Sequence, residues 1–118
     1  MIRRRKRSKM GVRCLSVIDC PGHMKWVRGH TCVIEGRGEH VCYGRMEAHH
    51  VVSRGAGGGD EQVVPLCAHA HGDGHLRGWE TFAKEFGVDL PAIAALFWKQ
   101  SPHRLKYEQS HNNPLYRP

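Results

Sequence analysis

The sequence predicts an α+β fold in a single small domain: a β-hairpin followed by helices. Three observations predict it. From Val41 to Val52 the side chains alternate in the two-residue period of a strand, ending in Val51-Val52. Val63-Val64-Pro65-Leu66 is a short, β-branched, apolar run of the kind that pairs back on such a strand, with Pro65 at its edge or end. Beyond Cys67 the period lengthens. Trp79, Phe82, Ala83 and Phe86 recur at three- and four-residue spacings, the buried face of one helix from about Gly72 to Phe86.

The remaining elements follow in chain order. Residues 1–10 read as a flexible basic arm, because Arg3, Arg4, Arg5, Lys6, Arg7 and Lys9 repel one another and have no apolar partner. Cys14 to Asp19 is a short apolar run, a strand or a turn packed on the core. Pro21 to His30 starts as a helix at proline, with Met24, Trp26 and Val27 as its apolar contacts. Gly55-Ala56-Gly57-Gly58-Gly59 cannot continue a regular element and makes a wide loop between the strands. Gly87 stops the long helix, and Asp89 caps another with Pro91 in its first turn and Ile93, Leu96 and Phe97 on one face. Residues 101–118, polar and with three prolines, are expected to form an extended tail. The folded domain is therefore placed at 11–100, with its core at about 41–87.

At 118 residues the chain has room for one domain. Its core is modest, so a bound metal would help to hold it together. With 18 Lys+Arg against 11 Asp+Glu the formal net charge is +7, a balance that favours polyanionic partners, nucleic acid above all. No apolar stretch approaches the ~20 residues needed to span a bilayer, and the basic N-terminus has no apolar run after it, so no membrane partner and a cytoplasmic location are expected. Five cysteines, an odd number and unevenly spaced, read as reduced thiols rather than a disulfide framework.

The histidines carry the chemistry. Five of the ten fall between His49 and His75. His71 and His75, four apart at a helix start, share a face and can bind one ion together. His49 and His50 are adjacent on a strand and point to opposite faces, so one should ligate and the other stand off. Three imidazoles leave a coordination position open for water or a phosphate oxygen, the pattern of a catalytic metal site. The fourth, with an ordinary pKa of about 6.5, suits proton removal from water near neutral pH. Such a donor set favours zinc, nickel, cobalt or manganese in affinity over magnesium, although the ion that supports turnover can differ from the one held most tightly. Arg45 and Arg54 flank the pair and are candidates for phosphate contact, as is the basic arm.

Glu47-Ala48-His49-His50-Val51-Val52, Gly55 to Asp60, Val64-Pro65-Leu66-Cys67 and His71-x-x-x-His75 together resemble an HNH endonuclease of the His-Me finger superfamily. The wider stretch from His23 to Phe82 resembles the small HNH-like proteins of phages and prophages. The resemblance implies a ββα-metal core with flanking helices. It also implies hydrolysis of DNA phosphodiesters to a 5′-phosphate and a 3′-hydroxyl. His50 would be the general base, and His49, in a position often held by aspartate, would join His71 and His75 in holding one divalent ion. The middle asparagine of the family falls on Gln62, whose longer amide would orient the base. Many relatives carry two Cys-x-x-Cys pairs for a structural zinc; here those places read Cys32-x-x-Glu35 and Cys67-x-x-Ala70. A structural zinc is accordingly not expected, and a rebuilt site of Cys32, Cys42, Cys67 and His69 ranks behind buried free thiols. Double-stranded DNA read with weak specificity is the expected partner, with phage packaging or recombination proteins as further ones. The other reading is a catalytically silent, metal-stabilised nucleic-acid-binding or phage accessory protein.

Overall fold

The structure, a computed structural model, describes residues 17–112. The basic arm with Arg3, Arg4, Arg5, Lys6 and Arg7 lies outside the described residues, as does the first half of the Cys14–Asp19 run. Within them the chain is α+β, with five helices and one two-stranded antiparallel sheet. The order is α1 (Pro21–Arg28), β1 (Met46–His50), a 3-10 turn (Arg54–Ala56), β2 (Val63–Cys67), α2 (Ala68–Arg77), α3 (Trp79–Phe86), α4 (Leu90–Gln100) and α5 (Pro102–Asn112). Among the described residues no helix is long and apolar enough to cross a membrane.

The hairpin forms in the predicted place but is shorter. Pairing runs from Met46 opposite Cys67 to His50 opposite Val63. Val41 and Tyr43, read as strand, are exposed instead, because the backbone turns at Gly44 and its carbonyls serve the start of α2. Tyr43 accepts from the His69 N–H at 3.2 Å and Arg45 from the Ala68 N–H at 2.8 Å. All five residues of β2 are buried, and Pro65, which has no N–H to donate, offers its carbonyl to Val33 N–H at 3.0 Å. The core gathers around this strand: Val64, Leu66 and Cys67 pack with Ile34, Ala70, Phe82, Leu90 and Ala94.

Two expectations about helices are corrected. The single helix over 72–86 is two, since Gly78 adopts φ 93° and ψ 139° and breaks the chain between α2 and α3. A side chain would resist that left-handed φ; glycine does not. The tail expected to be extended from 101 is helix α5 as far as Asn112. Pro102 opens a helix there rather than preventing one, because its missing N–H is not needed at the first turn and Ser101 Oγ accepts from His103 N–H at 3.1 Å. On α4 the buried positions are Leu90 and Ala94, while Leu96 is exposed and Phe97 packs sideways on Trp26 and His30.

The buried residues of α1 are His23 and Val27, four apart. His23 is wholly buried, with Nδ1 at 2.9 Å from Ser101 Oγ and its ring edge-on to Trp98. Burial, and then repulsion from His103, pushes its pKa down to about 4. In the unfolded chain the same group titrates near 6.5. The unfolded state thus takes up a proton that the folded state refuses, so stability is full above pH 6.5 and is lost as pH falls toward 4. The loss attributable to His23 is about 3 kcal/mol. Urea midpoints measured at pH 7 and pH 4.5 should show it, and His23→Gln should reduce the difference. Equal pH sensitivity in the two proteins would place the effect elsewhere.

Candidate metal centre and the histidine beside it

The hairpin delivers the two adjacent histidines to different neighbours, as strand alternation requires. Glu47 and His49, two apart, both reach α2: Glu47 Oε1 lies 2.6 Å from His71 Nδ1, and His49 Nδ1 lies 3.2 Å from His71 Nε2. His75 follows His71 by one helical turn, with ring centroids 4.9 Å apart. One nitrogen each from His49, His71 and His75 can be chosen so that all three lie within 4.8 Å of one another. These three residues thus form a group that could hold a metal ion.

The surroundings prepare the donors. His49 is buried and lies flat on the Trp79 indole, centroids 3.9 Å apart and planes 26° apart. Trp79 reaches it only because the chain reverses at Gly78 and passes close over α2: a Cβ on Gly74 would stand 2.0 Å from the Trp79 ring. Burial, then the nearby His71, His75 and His50, pushes the His49 pKa down to about 3. It is therefore neutral at working pH, as a nitrogen ligand must be. Glu47, held below the usual carboxylate range by its bond to His71 and by Arg45, is ionised and accepts the His71 Nδ1 proton. In the neutral ring, the form that can bind a metal, Nε2 is then the lone-pair nitrogen and it lies toward His49, the carboxylate–histidine arrangement that orients metal ligands.

His50 turns the other way, and its Nε2 is 2.9 Å from Asp60 Oδ1. Asp60 is almost completely buried at the base of the glycine loop. Its Oδ2 accepts from the Cys20 N–H at the start of α1 at 2.8 Å, and its Oδ1 also accepts from Arg54 Nη2 at 2.5 Å. Burial alone would raise this carboxyl. The His50 bond, the Cys20 N–H and Arg54 outweigh it and hold the pKa below the ordinary value. An ionised Asp60 can only accept, so His50 donates through Nε2–H, and in the neutral ring Nδ1 is then the proton acceptor.

Asp60 and Glu47 were not among the predicted site residues, although both lie within the segments of the resemblance. An acid ten residues past His50 and one two residues before His49 were the available signals. Gln62, expected to orient His50, is joined to the hairpin through its backbone: its carbonyl accepts from Val51 N–H at 2.8 Å. The residue that bonds His50 is Asp60, because the loop folds back through Asp60 N–H to the Ile18 carbonyl. Arg54 is half-exposed and paired with Asp60 and Asp19. Arg45 is exposed beside Glu47 and lines a groove along β1 with Arg28, which sequence reasoning did not single out.

Three of the four described cysteines come together. Cys32, Cys42 and Cys67 converge with His40, a residue given no role from its spacing, and form a second group that could hold a metal ion. Burial, and then contact with Cys32 and Cys67, pushes the Cys42 thiol up to about 12. His69, the fourth ligand considered from the sequence, instead places Nδ1 2.7 Å from the Val41 carbonyl and stacks on Tyr43. No family model matches the chain, and neither does any curated protein or solved structure.

Proposed function

We propose that this chain is a metal-dependent HNH-type endonuclease with a ββα-metal core, hydrolysing DNA phosphodiester bonds. The observation that carries the reading is one juxtaposition. A histidine whose Nε2 is bonded to a buried carboxylate stands next in the chain to a three-histidine group suited to one divalent ion.

His49, His71 and His75 fit zinc, nickel, cobalt or manganese by their nitrogen donors, with magnesium as a further candidate for turnover. A bound ion would act as a Lewis acid toward the scissile phosphate and its departing oxygen. The chain's own residues do the rest. His50 Nδ1 takes a proton from the attacking water, and the imidazolium so formed is stabilised by Asp60 across the 2.9 Å contact. Trp79 covers one face of His49, and Glu47 keeps the His71 ring in its ligating orientation. Arg28 and Arg45 along the β1 groove, with Arg54 and the basic arm, supply cations for the DNA backbone. Contacts of that kind carry no sequence information, so specificity is weak. A phage or prophage role in a bacterial cytoplasm, with packaging or recombination proteins as partners, belongs to the same reading.

The test is relaxation of supercoiled plasmid by protein stripped of metal and re-supplied with Mg, Mn, Co, Ni or Zn. Nicked or linear product is expected only after metal is restored. Inertness with every ion, while the protein still retards DNA, would favour the second reading, a silent nucleic-acid-binding module. Gln62, in the place of the family's asparagine, is the observation behind that alternative.

A further inference from the structure

We infer that Cys32, His40, Cys42 and Cys67 bind one zinc ion that ties the long irregular segment 31–45 to the junction of β2 and α2. This site is separate from the histidine group and independent of the proposed nuclease function.

The argument starts from how that segment is held. Between α1 and β1 the chain runs through turns with no helix or strand, and Ile34 is its one wholly buried apolar side chain. Cys32 lies at its beginning, and His40 and Cys42 lie near its end. Cys67 is the last residue of β2 and caps α2, its Sγ accepting from Ala70 N–H at 3.3 Å. The four side chains thus come from three separate places and meet at one point.

Their ligand atoms all lie within 4.8 Å of one another. His40 Nε2 is 3.1 Å from Cys42 Sγ and 3.5 Å from Cys67 Sγ. Tetrahedral zinc, with bonds of about 2.3 Å to sulfur and 2.0–2.1 Å to nitrogen, sets its ligand atoms about 3.5 Å apart. Without an ion, three thiols and an imidazole are poor partners for one another, since a thiol is a weak donor and a weak acceptor. Cys32 and Cys67 are also buried, which denies them water. Four protein ligands leave no open position, so the role is structural rather than catalytic. On binding, the thiols release their protons to solvent and the ion takes three thiolates and one neutral imidazole.

The test uses the full chain with His49, His71 and His75 all changed to alanine, which removes the other metal group. It should purify with one zinc per chain by elemental analysis and release it when a mercurial blocks the thiols. Cobalt in its place should give thiolate-to-metal charge-transfer absorption. His40→Ala should weaken zinc binding by more than about 100-fold, beyond what outer-shell changes cost. His69→Ala should leave it within a few-fold. If His40→Ala fails to fold, the cobalt spectrum of the triple-histidine protein decides. Absence of zinc from the triple-histidine protein, or cobalt bound without thiolate absorption, would overturn the inference.

Discussion

Replacing His50 by alanine is expected to slow plasmid cleavage by about 10²- to 10⁴-fold, the range a positioned general base contributes. Metal content should not change, because His50 is not among the His49, His71 and His75 group and its side chain is bonded to Asp60 instead. The fold should also survive. Asp60 keeps Arg54 and the Cys20 N–H after His50 is gone, so the stability cost is about 1 kcal/mol. Single-turnover rates, bound metal and a urea midpoint on the same preparation separate these effects. A variant that cuts as fast as wild type would remove His50 from the mechanism and leave the metal group without a base.

The second large effect is at Asp60. Changing it to alanine withdraws the acceptor shared by His50, Arg54 and the N–H of Cys20, the residue just before α1. Cleavage should fall about 100-fold, as when the outer partner of a functional histidine is lost, because His50 no longer holds its proton on Nε2. Stability should fall by about 3 kcal/mol, since a buried N–H and two cationic or polar partners lose their acceptor together. Asp60→Asn separates the two losses. The amide oxygen can still accept from Cys20 or Arg54 and recovers part of the stability, while the fixed negative charge beside His50 stays absent and the rate stays low. If Asn restored the rate as well, Asp60 would be a structural anchor alone.

Much of this arrangement was legible in the sequence wherever the information is local. The two-residue period ending at His49-His50 and the four-residue step from His71 to His75 fix which side chains can share a face, whatever the rest of the chain does. Chain breaks were harder to read. Gly78 lies within the 72–86 span read as one helix, directly before the first of its spaced aromatics, and only its left-handed backbone shows that Trp79 begins a new helix and lies under His49. Prolines after Ser101 read as breakers, although one directly behind a serine cap is equally a helix start.

The sequence by itself determined the α+β class, the hairpin and the histidine spacing. Each follows from side-chain period and glycine placement along a few consecutive residues. The tertiary structure alone decided that Asp60 reaches His50, that Glu47 orients His71, and that His40 rather than His69 joins Cys32, Cys42 and Cys67. These are meetings between residues on different segments. They depend on how the glycine loop and the 31–45 turns fold back on the hairpin, and no local period records that path.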